Sequence, residues 1–370
     1  MAIGLRKGGF VMVRKDVAEQ LIDLVSVYSP SGGEEIFAEY LIKQLRDLTD
    51  AVERDSFGNV YAKVEGKGEP LFFAAHMDTV EPGNGIKAQI TTEEYVVSDG
   101  TTILGADNKA TIAVYLALLG DLCGKNEKMK HRPLEFVFTK SEETGNYGAI
   151  NFDYKLLKAK KGYCFDAVAP VGTIITASPY YERIDIKLIG KAAHASRLEA
   201  ARSVLGPLKK LLENVRLGKL SDTTICNIGK IEVGAGRNTI PGYATIEAEL
   251  RSYVEQDLSS ALDDFLRAIQ SAAMAIEVEI RHETENPGYY HRSEEVITEL
   301  DRIELCMKKI GILPEKVESM AVSDANIFNK MGLVCINLGD GVEGAHSKEE
   351  RIAVASMLKN LKLCKELVTE

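Results

Sequence analysis

Apolar residues recur at helical spacing over 14–28, at Val17, Leu21, Leu24, Val25 and Tyr28, and predict an amphipathic helix. SPSGGEE (29–35) breaks it and caps a second helix over about 34–48. Ser31 is placed as its N-cap, with Glu34 three residues on completing a capping box. Residues 55–66 alternate and carry turn residues, so they predict a hairpin strand. LFFAA (71–75) is a continuous apolar run, the pattern of a strand buried on both faces, and it leads straight into His76, Met77 and Asp78. Residues 79–103 read as loop and hairpin, and 104–122 as an apolar helix with Asp107 near its start. LEFVF (134–138) predicts a strand that ends at SEETG (141–145), and GYCF (162–165) another that ends at Asp166.

From about 178 the texture changes. Residues 180–196 predict an alternating strand and a histidine-containing turn, 197–216 a helix, 223–252 a meander, 254–275 a long helix and 276–283 a closing strand. Residues 285–291 read as an exit linker, followed by a helix (294–310), the strand LVCINLG (333–339), a loop (340–347) and a terminal helix (349–368). Strands alternating with helices predict an α/β sandwich with a largely parallel sheet, interrupted by an α+β insertion. The division is 1–178 with 287–370 as one domain and 179–286 as the insertion. In such sheets sites collect at the carboxyl ends of strands. His76, the Glu142–Glu143 pair and Asp166 each lie just after an apolar strand.

Composition narrows the function. A net charge of −10 over 370 residues, with pI near 5.3, argues against nucleic acid, which needs clustered Lys and Arg. No apolar run approaches the roughly 20 residues of a membrane span, so no membrane partner is expected. The first 13 residues lack a sustained apolar segment and a cleavage site, and read as an extension with folding starting near Val13. The six cysteines are scattered with no CxxC pair, which predicts buried free thiols in a reducing, cytoplasmic setting.

Adjacent carboxylates at the end of a buried strand repel each other and lose hydration, so their pKa values rise unless a cation sits between them. The candidate donors are His76, Asp78, Asp107, Glu142, Glu143, Asp166 and His346. Nitrogen and carboxylate donors without thiols suit zinc, cobalt or manganese. Each has a plain alternative when taken singly: a satisfied strand-end histidine, a helix cap, a turn acid. Four segments delivering such residues to one sheet edge favour a metal site. Three or four ligands make a one-metal site; five, with one carboxylate bridging, make a two-metal site.

The motifs HMDT (76–79), LGADNKA (104–110), SEETG (141–145), FDA (165–167) and GAHS (344–347) occur in this order. Together they resemble the dinuclear-zinc metallopeptidase family that includes peptidase T, acetylornithine deacetylase, aminoacylase and glutamate carboxypeptidase. The likeness runs over nearly the whole chain. It implies a zinc-exopeptidase-like α/β catalytic domain with an inserted α+β lid and dimerisation domain, and two divalent ions, zinc foremost. By that resemblance His76 and Asp166 hold one ion, Glu143 and His346 the other, and Asp107, followed by a cis peptide, bridges them. Asp78 would fix the His76 tautomer and Glu142 would be the general base. His194 would stabilise the oxyanion, supplied by the partner subunit in dimeric members. Asn238 and Arg251 match lid positions that contact substrate. SDANIFNKMG (323–332) resembles the peptidase T-like branch, with Ser323, Asp324 and Asn326 near the substrate. His131, His282 and His291 match no motif and read as surface histidines.

Two positions depart from the family pattern: Asn108 stands where an acid is common, and HAS (194–196) replaces HAG or HPG. An Asp at position 166 accompanies aminopeptidases in the family, and a Glu there accompanies deacylases and carboxypeptidases. The resemblance therefore implies an exopeptidase that releases the N-terminal residue of short peptides, tripeptides above all. The alternative is a deacylase or carboxypeptidase on the same scaffold. A non-catalytic relative would be expected to have lost Glu142 or a ligand, and none is lost. Family lid domains pair into homodimers, which the sequence itself does not address.

Overall fold

The computed structural model describes residues 16–123, 130–273 and 276–369. The proposed N-terminal extension lies outside them. The central element is a nine-stranded mixed sheet. Its inner strands Leu134–Thr139, Leu71–His76, Lys161–Ala167 and Val334–Gly339 lie side by side and parallel. The hairpin Ala51–Arg54/Val60–Val64 adds antiparallel strands at one edge, and Thr173–Ser178, Tyr289–Tyr290 and Glu315–Glu318 complete the other.

Burial on both faces explains the apolar runs. In Leu71–His76, Phe73 and Ala75 enter one hydrophobic cluster, while Phe72 and Ala74 enter a second on the opposite face. Helices Val17–Ser26, Glu35–Leu45, Ala106–Cys123, Glu294–Lys309 and Val354–Val368 cover the first face. Tyr147–Asn151 and Asp324–Lys330 cover the second. Gly162 is required where two strands touch: a Cβ there would sit 2.3 Å from the Phe72 ring.

Tyr180–Ile189, Thr224–Val233, Tyr243–Ser252 and Glu277–Asn286, with the short Gly218–Lys219, form a separate antiparallel sheet. Helices Leu205–Asn214 and Glu255–Ala272 pack on one face over a third cluster that includes Ile184, Ile186, Leu188, Ile246, Leu250 and Phe265. The other face carries Arg183, Asp185, Glu247, Glu249 and Arg251 and is turned toward the site described below.

Several elements differ from the sequence expectation. Within 55–66 only Val60–Val64 is strand; the residues before it form the turn of a hairpin with Ala51–Arg54, held by Asp55, which accepts the N–H groups of Phe57, Gly58 and Asn59. The 197–216 helix is a 3-10 turn, Leu198–Ala200, then a helix from Leu205. Lys191 and Arg202 exchange backbone hydrogen bonds, and Pro207, lacking an N–H, fits only the first turn of the later helix. The terminal helix starts at Val354 because Arg351–Ala353 pairs as a strand with Tyr95–Val97. Ser31 is not an N-cap: its hydroxyl donates to Asp78, and Glu34 occupies the cap position without a side-chain cap bond. His291 is buried, only 8% exposed, and stacks on Tyr289, so it is no surface histidine. His282 lies against the buried Glu182.

No helix among the described residues is long and apolar enough to cross a membrane. The five cysteines whose side chains are described are free; Cys306 is half-buried and the other four are buried.

The Phe73 ring sits between Tyr115, Phe136 and Tyr163, with centroids 5.3, 5.6 and 5.5 Å away. Phe73→Ala is expected to lower the unfolding free energy by about 3–5 kcal/mol, read from the urea midpoint. A loss under about 1 kcal/mol would show that this aromatic layer does not hold helix to sheet.

Candidate metal centre

The carboxyl ends of the parallel strands, and the loops that follow them, deliver the polar residues to one edge. His76 is the last residue of its strand. Its Nδ1 lies 2.9 Å from the carbonyl oxygen of Asp78 and 3.4 Å from that residue's carboxylate. The backbone carbonyl is thus the closer of the two groups able to set the tautomer, with Nε2 left facing the cleft. Nε2 is 3.2 Å from Asp107 Oδ1 and 3.4 Å from Asp166 Oδ1. Across the cleft, His346 Nε2 is 2.9 Å from Glu143 Oε1 and 3.4 Å from Asp107 Oδ2. Asp107 therefore turns one carboxylate oxygen to each histidine. The peptide after it, Asp107–Asn108, is cis.

Two donor groups share Asp107: His76, Asp107 and Asp166, and Asp107, Glu143 and His346. Their chemistry fits divalent cations. Bonds of about 2.0–2.2 Å in a tetrahedral shell put neighbouring ligand atoms about 3.3–3.6 Å apart, and most of the spacings here are close to that. A third group joins His76, Glu142 and Glu143.

Asn108 and three residues the sequence did not single out support this set. Glu350 is buried and accepts the N–H groups of Leu104, Gly105 and Asp107 at 2.9, 2.7 and 3.0 Å. Asn108, the departure from the family pattern, donates from Nδ2 to Asp166 Oδ1 and to the Phe165 carbonyl, both at 2.7 Å. It is therefore a donor to the carboxylate where an acid would repel it. Asn337 Oδ1 accepts the Asp166 N–H. Asn146 Nδ2 donates to both Glu142 Oε1 and Asp324 Oδ1 at 2.9 Å. Isolated Asn and Glu residues carry no sequence pattern that would have exposed these roles.

The remaining expected residues are placed differently. Asp324 and Asn326 do not line the cleft: both are buried and committed to protein partners. Asp324 is bound by Thr139 and Asn146. Asn326 is bound by Ser178 and the N–H of Ser323, and it donates to the Pro287 carbonyl. Ser323 accepts from Asn337. Residues 317–322, just before them, form the cleft wall instead. That cleft, of about 440 Å³, runs from His76 and His346 along Ala167, Val168 and Ala169. A second, of about 590 Å³, lies between Glu142, Glu143 and His346 and the charged sheet face. Arg251 lines it, donating to the Met320 carbonyl at 2.8 Å and to Glu249 at 3.0 Å. His194 and Asn238 sit together on an exposed two-stranded turn and line neither cleft.

Burial and neighbouring charge shift the titration of these groups in opposite directions. Burial opposes a charge on His76, but Asp166, Asp107 and Asp78 outweigh it and raise its pKa well above the usual value. Hydrogen bonds to Asp107 and Glu143 push His346 up to about 10 against partial burial. Burial raises Asp166 to about 7 and Glu142 well above the ordinary carboxylate range.

The profile of peptidase family M20/M25/M40 matches residues 72–370, and the chain belongs to this family. An uncharacterized Bacillus subtilis protein, YqjE, is 31% identical over 369 residues, covering 96% of this chain and 98% of its own. The crystal structure of aminopeptidase PepT from Bacillus cereus superposes with a TM-score of 0.85 at 30% identity, covering 95% of this chain and 97% of that one. That of a Staphylococcus aureus tripeptidase gives 0.89 at 28%, with the same coverage. Within the family the chain is peptidase T-like, and it is a hydrolase.

Loading the centre must displace protons that the two histidines still hold at pH 7, so affinity for divalent cations rises with pH. Calorimetry in buffers of differing ionisation enthalpy is expected to register net proton release on saturation at pH 7. Zero net release would contradict the protonation of His76 and His346.

Proposed function

We propose that the chain is a metal-dependent exopeptidase that hydrolyses the N-terminal peptide bond of short peptides, tripeptides in particular. The observation that carries this reading is the division between two adjacent acids. Glu143 faces His346, whereas Glu142 stands beside the donors with its Oε1 held only by Asn146. In this reading His76 and Asp166 hold one divalent ion, Glu143 and His346 the other, and Asp107 both. Such ions acidify water and polarise a scissile carbonyl. Zinc is our first choice, with cobalt and manganese as alternatives.

Glu142 takes a proton from water on its free carboxylate oxygen and passes it to the departing amine. Burial raises its proton affinity, which suits a group that must hold the proton between those two transfers. Asp78 keeps the turn in place by accepting the N–H groups of Glu142 and Glu143 at 3.0 and 3.2 Å.

Asp at position 166 and the likeness to an aminopeptidase and a tripeptidase support release of an N-terminal residue. The cleft beside Asp166 is walled by Val168, Ile175, Val317 and Met320, which favours an apolar side chain there. We further propose that 179–286 acts as a lid and pairs two copies, one supplying His194 to the other. The edge strand Thr224–Val233 supports this pairing: Ile231 and Val233 are exposed on it, and its outer side is paired only at Gly218–Lys219. The free cysteines support a cytoplasmic setting.

Glu142→Gln is expected to retain both cations and lose at least about 100-fold in kcat. Unchanged turnover would remove Glu142 from the role of base. A panel of a free tripeptide, its N-acetylated form and an N-acetyl amino acid tests the substrate class. Cleavage of the free tripeptide alone is expected; release from the blocked compounds alone would establish the deacylase reading instead.

A further inference from the structure

Glu142 follows a residue in an unusual conformation. Ser141 has φ +52°, the left-handed region that residues with a β-carbon disfavour. It lies two residues beyond the end of Leu134–Thr139, so this bend sets the direction in which the Glu142 side chain leaves the sheet.

What holds the bend comes from the other end of the chain. Glu34 is fully buried. Its Oε1 accepts the Ser141 N–H at 2.9 Å, the Ser141 hydroxyl at 3.0 Å and the Gly32 N–H at 3.0 Å. Asp78 accepts the next two N–H groups, those of Glu142 and Glu143. Two carboxylates therefore take three consecutive amides of the SEETG turn. The segment carrying Glu34 is itself tied down. Ser31 donates its N–H to the Thr79 carbonyl and its hydroxyl to Asp78 Oδ2, and Thr79 donates to the Ser29 carbonyl. The second oxygen of Glu34 lies 3.5 Å from Lys140 Nζ, which makes its short contact, 2.6 Å, with the exposed Glu35.

We propose that Glu34 is a positioning residue: by clamping Ser141 in its left-handed turn it aims the Glu142 carboxylate at the cleft. This rests on Glu142 being the general base. The role requires an acceptor oxygen at full reach and not a negative charge as such, because the partners are neutral donors on Gly32 and Ser141. A residue kept only to pair with Lys140 would have the opposite requirement.

The experiment compares Glu34→Gln, which keeps the reach and loses the charge, with Glu34→Asp, which keeps the charge and loses a methylene. Glu34→Gln is expected to stay within about tenfold of the parent kcat, while Glu34→Asp falls about 100-fold with KM unchanged. Glu35→Ala, which removes the exposed contact to Lys140, should leave kcat unaltered. Amide hydrogen exchange over 140–146 gives a readout that needs no substrate: it should accelerate in Glu34→Asp and stay near parent rates in Glu34→Gln. Asp performing as well as or better than Gln in either measurement overturns the proposal. Because exchange is independent of turnover, failure of the exopeptidase reading on the substrate panel remains distinguishable from failure of the Glu34 assignment.

Discussion

The constraint on which this structure turns is a concentration of negative charge at one edge of a buried sheet. Asp78, Asp107, Asp166, Asp324, Asp340 and Glu350 are buried or nearly so, and Glu142 and Glu143 stand beside them, with His76 and His346 in their midst and the buried Lys109 near Asp78 and Glu350. Unpaired carboxylates in such a place are costly, and the chain meets that cost in three ways. Backbone amides take part of it: three point at Glu350 and two at Asp78. Side-chain amides of Asn108 and Asn146 take another part. Raised proton affinity is the third, since burial shifts Glu142, Asp324 and Asp340 upward from the ordinary carboxylate range.

The same constraint explains which parts of the molecule were legible in the sequence. A strand buried on two faces is apolar wherever its side chains have no polar partner, so 71–75, 134–138 and 162–165 announce themselves, with Glu135 the one acid among them, bound by Tyr61 and the Ala159 N–H. Short elements fixed by tertiary pairing do not. Arg351–Ala353 is only three residues long and is a strand because Tyr95–Val97 lies beside it. Thr173–Ser178 and Glu315–Glu318 depend on each other in the same way.

The donors could be gathered from motifs, but the groups that orient them could not. Glu350, Asn146 and Asn337 are single polar residues far along the chain from what they bind. Ser31 and Glu34 fitted a local capping pattern well enough to hide their contacts with Asp78 and Ser141. Local chemistry offered a sufficient account, and a longer-range one prevailed. Asp324 and Asn326 err in the other direction: their motif belongs near the substrate, yet their side chains brace the wall from behind.

Arg251 shows how the inserted unit is tied to this edge. A guanidinium lining the cleft beside Glu142 and Glu143 invites the role of a substrate clamp. Here two of its nitrogens already serve the Met320 carbonyl and Glu249, and its plane lies over Tyr181, 4.8 Å from the ring centroid. Met320 belongs to the wall of the smaller cleft, and Glu249 to the sheet face of the larger one. Arg251 thus joins the walls of the two clefts. A carboxylate placed at Arg251 would compete with Glu249 for the guanidinium, an exchange of one ion pair for another that gains little by itself. On these bonds Arg251 holds the walls of the two clefts at their spacing.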